Sequence, residues 1–140
     1  MSKIEKIINK MYENDSFSQW LGIEIIDVQD GYCKLKMAIS KEMLNGFNIL
    51  HGGITYSLAD SALAFASNTY GKKCISIETS ISHVETCKVG DVLMAVTREL
   101  SKTDKTALYL VTIYNQDDKK VAFFKGTVFR TSKDWMIENE

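Results

Sequence analysis

Apolar and small residues fill nearly every position of the stretch 54–69, which reads I-T-Y-S-L-A-D-S-A-L-A-F-A-S-N-T. A helix that is hydrophobic on all sides is usually buried on all sides, so this stretch predicts a helix at the centre of the fold. Two glycines, Gly52 and Gly53, stand at its start. A single ionisable residue, Asp60, lies near its middle.

Much of the remaining chain alternates apolar and polar residues with a period of two, which is typical of strands. Two such runs precede the helix and are joined by an Asp-Gly turn at residues 30–31, and four follow it. The short turns between successive runs predict antiparallel pairing. The predicted strands cover residues 23–29, 32–40, 74–84, 92–101, 106–115 and 121–131.

These elements predict an α+β domain in which a curved antiparallel sheet of five to six strands wraps around one long helix. Apolar residues at helical spacing add an amphipathic surface helix over residues 3–12, and Asp15 or Ser16 is the expected cap of a second short helix. Gly126, inside the last strand, indicates a bulge or a close approach to another element. We expect one domain over residues 1–140, with a core at about 11–131 and a loosely held polar tail at 132–140.

The overall charge, the hydropathy and the cysteines argue against several classes of protein. A net charge of −1 gives no electrostatic footprint for nucleic acid or an anionic membrane. No apolar run reaches transmembrane length, and the start of the chain lacks the continuous apolar segment of a secretory signal. Three cysteines without metal-ligand spacing favour reduced thiols, no metal site and a cytoplasmic location.

Two chemical features stand on the central helix. A carboxylate such as Asp60, set among Ala and Leu, is costly to bury unless it is paired or takes part in chemistry. Pairing with Ser57 or Asn68 is the structural alternative. At the helix start, the amides of Gly52 and Gly53 are suited to an oxyanion.

These two features cannot serve one small reacting centre from a single helix. Asp60 follows Gly52 by eight residues. At a rise of about 1.5 Å per residue, they lie about 12 Å apart along the helix axis. A carbonyl that touches the helix start must find its carboxylate elsewhere. A second copy of the helix, related by a two-fold axis, is the economical source, so the sequence predicts a homodimer with shared sites.

The segments Met43-Leu44-Asn45-Gly46, His51-Gly52-Gly53 and Ser57-Leu58-Ala59-Asp60 resemble the hotdog-fold acyl-CoA thioesterases, of the phenylacetyl-CoA (PaaI-like) type. The resemblance extends from about Met11 to Arg130. Its specific part is an asparagine fifteen residues before the acid, combined with the spacing from His-Gly-Gly to that acid.

The resemblance implies a hotdog fold and hydrolysis of aryl- or medium-chain acyl-CoA to a free acid and CoA. Asp60 would be the nucleophile or general base, and the amide at Gly52 of the neighbouring subunit would polarise the thioester carbonyl. Asn45 would orient water or the carbonyl, with His51 beside it. CoA is then part of the substrate and no separate cofactor is expected. The implied assembly is a dimer, commonly doubled into a tetramer.

Several residues retain a second interpretation. His51 suits a backbone hydrogen bond as well as substrate contact, and Asn45 suits a turn. Ser61 and Ala64 are candidate substrate contacts together with Gly53, although helix packing explains the first two equally well. His83 is interpreted as structural. The aromatic residues that would suit an aryl or medium acyl chain, or simply belong to the core, are Tyr56, Phe65, Tyr70 and Phe47.

The chain also departs from the family at residues 85–87. Relatives commonly carry Arg-Pro-Gly there, whereas this chain has Glu85-Thr86-Cys87.

Two other functions are alternatives. A hotdog dehydratase or hydratase would use an acid–histidine pair, usually with prolines in the motif, whereas this chain has no proline. A non-catalytic acyl-CoA-sensing module would bind the same ligand without turnover.

Overall fold

The computed structural model describes residues 1–135, which contain three α-helices. Helix α1 spans Lys3–Glu13, α2 spans Ser16–Trp20 and the central α3 spans Gly52–Asn68. Asp15 is the N-cap of α2, because its carboxylate accepts from the Ser18 amide. A 3-10 turn covers Lys41–Met43. No helix in the described part of the chain has the length and apolar character needed to span a membrane.

Six strands form one antiparallel sheet, in the order β1-β2-β4-β5-β6-β3. The prediction of a curved sheet with about six strands around one long helix is confirmed, and the predicted bounds differ from the observed ones by a few residues at most. The strands are β1 Glu24–Gln29, β2 Tyr32–Ala38, β3 Lys72–His83, β4 Val92–Lys102, β5 Thr106–Tyr114 and β6 Lys120–Asp134.

The connection that follows β3 differs from the predicted short turn. Strand β3 pairs with β6 at one edge of the sheet, whereas β4 lies between β2 and β5. Residues 84–91 therefore cross from one region of the sheet to another. They run past the loop before α3, where the Leu50 amide donates to the Cys87 carbonyl at 2.7 Å. This crossing segment supplies one wall of a pocket described below.

Strand β3 is a long edge strand with apolar side chains in solvent. Among residues 1–135 its only neighbour is β6, and Ile75 and Ile77 are 59% and 58% exposed. A register shift between Ser76 and Glu78 interrupts the predicted alternation. Ile75 before the shift and Ile77 within it are exposed, whereas Ile81 after it packs against the core. A long, exposed edge of this kind is a template for pairing with another chain.

Helix α3 packs one side against the concave face of the sheet, but its predicted burial on all sides is wrong for a single chain. The sheet covers only one side of the helix. The other side is partly or fully exposed, at Gly53, Ser57, Asp60, Ser61 and Ala64. The side of α3 that is buried in the core consists of Leu58, Ala59, Ala62, Leu63, Phe65 and Ala66.

Both ends of the core extend further than predicted. In α1, Ile7 and Ile8 are fully buried, so this helix is part of the packed domain. Strand β6 continues through Asp134, and the Trp135 indole donates to the Asn68 side chain at 2.9 Å. The prediction of a loose tail is therefore wrong for residues 132–135, while 136–140 lie outside the described residues.

Gly126 marks a close approach between β6 and α3, one of the two possibilities that its position indicated. A Cβ atom on Gly126 would lie 2.5 Å from Leu63 Cδ2 and 3.1 Å from Phe124 Cε1. Since both neighbours are enclosed in the core, they have little room to move. We expect Gly126→Ala to lower the free energy of unfolding by about 1–3 kcal/mol, measured by denaturant titration.

The matched control for this variant is Gly46→Ala, because a Cβ at Gly46 meets no atom within 4 Å. It should leave the unfolding midpoint close to that of the wild type. Equal midpoints for the two variants would contradict the packing described for Gly126.

Candidate active site

The start of α3 offers one free amide. His51 is the N-cap, and its Nδ1 accepts from the Gly53 N–H at 3.0 Å. The Gly53 amide is therefore already engaged. The Gly52 N–H has no acceptor among residues 1–135, and the dipole of a seventeen-residue helix points its positive end at this position. Of the two predicted oxyanion donors, Gly52 remains and Gly53 is occupied.

A pocket of about 200 Å³ opens at this end of the helix. The His83 ring lies against Gly52, with its Cε1 3.2 Å from the position that a Gly52 Cβ would take. On the crossing segment, Glu85 forms an ion pair with Lys119 at 3.1 Å, so its charge is compensated. The pocket is lined by Ile49, Leu50, Gly52, Thr55, His83, Glu85, Thr86, Cys87 and Val121.

Asp60 lies in a second pocket, of about 260 Å³, between α3 and the first half of β3. In the described part of the chain no donor lies within hydrogen-bonding distance of its carboxylate. The predicted structural partners are engaged elsewhere: Ser57 donates to the Gly53 carbonyl at 2.7 Å, and Asn68 donates to the Ala64 carbonyl at 2.8 Å. The pocket is lined by Asp60, Leu63, Ala64, Ser67, Cys74, Ile75, Ser76 and Val128.

Two effects make the Asp60 carboxylate a stronger proton acceptor than usual. Burial raises the pKa of Asp60 first, and the negative charge of Asp15 raises this pKa further. Asp15 is also linked by hydrogen bonds, through Ser18, to Ser61, the residue that follows Asp60 on α3. The Ser18 hydroxyl donates to Asp15 at 2.6 Å and bonds the Ser61 hydroxyl at 2.8 Å. Ser61 therefore joins α2 to α3, whereas Ala64 lines the pocket with Asp60.

The two pockets are separate in one chain. They share no lining residue. Gly52 and Asp60 lie on the same continuous helix. The predicted separation of about 12 Å along the helix axis therefore applies. Both pockets border β3, the first at His83 and the second at Cys74 and Ser76. A single protomer thus carries two separate pockets at opposite ends of its edge strand.

In the structure, the side chains of Asn45 and His51 both accept hydrogen bonds from nearby backbone amides. The Asn45 side-chain oxygen accepts from the amides of Phe47 and Ile49 at 2.8 and 3.4 Å, which fixes the loop before α3. The side-chain NH₂ of Asn45 has no acceptor among residues 1–135. Neither Asn45 nor His51 lines the two pockets. A direct role for either residue stays a prediction.

The four aromatic candidates for an acyl pocket lie elsewhere. Phe65 is buried in the core, while the Tyr56 hydroxyl bonds Thr79 and its ring contacts Phe124 edge-on. Tyr70 donates to Glu99, and Phe47 is exposed on its loop. None of the four lines the pockets of Gly52 or Asp60.

The three cysteines are free thiols. Burial raises the pKa of Cys33 to about 12. For Cys87, burial and then the nearby Asp91 and Glu85 raise the pKa to about 11. Burial also raises the pKa of Cys74. Protonated thiols are poor nucleophiles, so none of the three cysteines is a candidate nucleophile.

One antiparallel sheet wrapped around a long apolar helix is the hotdog architecture that the resemblance implied. The Thioesterase superfamily profile matches residues 47–122, more than half of the chain. The chain belongs to the thioesterase superfamily and is a thioester hydrolase.

Relatives support the PaaI-like assignment. The chain is 37% identical to acyl-coenzyme A thioesterase PaaI of Escherichia coli over 120 residues, 86% of each protein. The structure of the E. coli PaaI protein from the phenylacetic acid degradation operon matches with a TM-score of 0.92 at 34% identity, covering 94% of this chain and 96% of that one.

Two further proteins are similar at lower identity. Human acyl-coenzyme A thioesterase 13 is 26% identical over 109 residues, 76% of this chain and 77% of the human protein. A Streptococcus mutans protein whose structure is bound to acetyl-CoA matches with a TM-score of 0.77 at 25% identity, covering 80% of this chain and 90% of that one.

Proposed function

We propose that this protein hydrolyses acyl-CoA thioesters to a free acid and CoA. Asp60 of one protomer acts as nucleophile or general base, and the Gly52 amide of the other protomer is the oxyanion donor. The observation that carries the proposal is the half-buried Asp60 carboxylate, which lines a pocket and has no hydrogen-bond donor among residues 1–135. Burying a carboxylate without a hydrogen-bond donor costs free energy, and a catalytic role is a reason for a protein to retain such a residue.

The chemistry requires only these two groups. The thioester carbonyl oxygen gains negative charge in the transition state, and the Gly52 amide at the positive end of α3 stabilises that charge. The Asp60 carboxylate attacks the carbonyl carbon, or takes a proton from the water that does. The carbon–sulfur bond then breaks and CoA leaves as a thiolate, which needs little help from an acid because a thiol is much more acidic than an alcohol. In the nucleophilic route an anhydride between the acyl group and Asp60 remains, and water hydrolyses it to the free acid and the Asp60 carboxylate.

A two-fold dimer paired along β3 would join the two pockets. When identical strands pair antiparallel, opposing side chains lie on the same face of the sheet. A two-fold axis at Ser80 satisfies this, with Thr79 of one protomer opposite Ile81 of the other. Because Ile77 is an extra residue at the register shift, His83 of one protomer then lies opposite Ser76 of the other. The pocket of Gly52 then meets the partner's pocket of Asp60. The exposed edge of β3 supports this pairing, and a tetramer built from two such dimers is the assembly we propose.

The proposed acyl group is aryl or medium-chain. Phe17 and Trp20 stack at 6.1 Å and are 50% and 62% exposed. They lie on α2, whose Ser18 bonds Ser61, the neighbour of Asp60. An exposed aromatic surface on the helix that is bonded to the neighbour of Asp60 suits such a chain. The phenylacetic acid degradation operon named for the E. coli relative supports the same substrate class.

A panel of short-, medium-, long-chain and aryl acyl-CoAs tests the proposal. We expect release of free CoA thiol with phenylacetyl-CoA and medium-chain acyl-CoAs, at kcat/KM within the usual enzymatic range of about 10⁴–10⁸ M⁻¹s⁻¹ for the best substrate. Tight binding of these compounds without thiol release would contradict hydrolysis and favour the non-catalytic sensing module.

A further inference from the structure

His83 belongs to the same pocket as Gly52. It is the last residue of β3 and lines the pocket at the start of α3. Three of its ring atoms, Cε1, Nε2 and Nδ1, lie 3.2, 3.6 and 3.9 Å from the position of a Gly52 Cβ. The imidazole therefore lies against Gly52, the residue whose amide is free, and both residues line the same pocket.

The imidazole is available for a ligand. Neither ring nitrogen has a hydrogen-bond partner among residues 1–135. The nearest acidic residue along the chain, Glu85, is paired with Lys119, and Cys87 across the pocket is protonated because its pKa is raised to about 11. A ring held by a neighbouring carboxylate would be fixed in place, whereas the His83 ring can direct an N–H into the pocket.

The oxyanion site as described has one donor fewer than the two glycines at the helix start indicated. The Gly53 amide donates to His51, which leaves Gly52 alone. Negative charge on a carbonyl oxygen has room for more than one hydrogen bond, and each preorganised donor contributes to the rate. A side chain beside Gly52 is placed to supply a second donor.

We propose that His83 is this second donor. Its imidazole N–H donates a hydrogen bond to the thioester carbonyl oxygen in the transition state, beside the Gly52 amide of the same protomer. No proton is transferred and no covalent bond forms at His83. The proposal rests on the proposed hydrolysis of acyl-CoA and adds a catalytic residue to it.

Two substitutions separate a donor from a packing residue. His83→Phe keeps a planar ring against Gly52 but has no donor, whereas His83→Gln loses the ring and keeps an N–H. We expect His83→Phe to lower kcat by about 10²-fold with little change in KM, as for the loss of an interaction made only in the transition state. His83→Gln should stay within about tenfold of the wild type. The opposite order of activities would show that His83 only packs against the helix, and would overturn the proposal.

The controls separate a failure of the proposed hydrolysis from a failure of the proposed role of His83. If the wild type releases no CoA from any acyl-CoA in the panel, the proposed function itself fails. If the wild type is active and His83→Phe matches it in kcat at an unchanged unfolding midpoint, only the role of His83 fails. Should His83→Phe prove unstable, His83→Ala takes its place as the donor-free variant, with the same comparison to His83→Gln.

Discussion

Replacing Asp60 with asparagine is expected to lower kcat for acyl-CoA hydrolysis by about 10²–10⁴-fold, the range that a positioned acid or base supplies. The amide has nearly the same shape but is neither a base nor a nucleophile. Since the carboxylate has no hydrogen bond to lose within residues 1–135, the fold should be retained. Initial rates of thiol release for purified Asp60→Asn and Asp60→Ala measure the effect.

Ser57→Ala is the matched control, because Ser57 lies on the same open side of α3, one turn earlier. It should retain most of the activity. A rate for Asp60→Asn near that of the wild type would show that Asp60 is not the catalytic nucleophile or base.

The activity of the wild type, and its stability relative to Asp60→Asn, should both depend on pH. Burial and then Asp15 raise the pKa of Asp60, so the active carboxylate form of the wild type is lost as the pH falls through this raised pKa. For stability the sign is the reverse of the usual aspartate case. A raised folded-state pKa means that the ionised carboxylate destabilises the protein above its unfolded-state pKa. Asp60→Asn should therefore melt higher than the wild type at neutral pH, and the difference should shrink in acid.

The elements of this fold could be predicted because their signals are local. The period of two in β5 and the apolar character of α3 depend on residues near one another in sequence, and both predicted elements agree with the structure to within a few residues. The order of the strands depends on pairings between distant residues. Nothing local to β3 shows that it pairs with β6, although the eight-residue connection at 84–91 is longer than a tight hairpin turn.

The bulge in β3 explains why the predicted apolar alternation does not hold along the whole strand. Counting by twos puts Ile75, Ile77 and Ile81 on one side of the strand. The register shift between Ser76 and Glu78 separates them, and leaves Ile81 packed against the core while Ile75 and Ile77 are exposed. An irregular residue in a strand has no reliable sequence signal when no glycine marks it.

The candidate site was predicted only in part, for a similar reason. Asp60 and Gly52 stand out because a lone carboxylate and a glycine at a helix start have few other uses. Whether the amide of Gly53 is free depends on how the His51 side chain turns, which no pattern of residues records. The four aromatic residues were candidates because of their residue type alone. Which of them line a pocket depends on packing, and packing puts them in the core or on the surface.

Removing the Gly52 donor is expected to lower kcat by about 10²–10³-fold. Gly52→Pro does this, because proline has no N–H. The site accepts proline because it is the first position of α3. His51 already has the extended backbone conformation that a residue before proline requires. Gly52→Ala is the matched control, since it adds a Cβ beside His83 but keeps the amide.

In the proposed dimer, each active site combines Gly52 of one protomer with Asp60 of its partner. Light scattering should first show a mass of at least twice 15.8 kDa for the wild type. Asp60→Ala and Gly52→Pro chains, each inactive alone, are then co-expressed with different affinity tags. A mixed dimer contains one site with both defects and one with neither.

Random mixing makes about half of the dimers mixed, and each of these has one of its two sites intact. We expect activity to return to about a quarter of the wild type in the unfractionated sample, and to about half in mixed dimers isolated through both tags. Mixed dimers that form but remain no more active than either parent would contradict the shared site, and would show that each site is built within one chain.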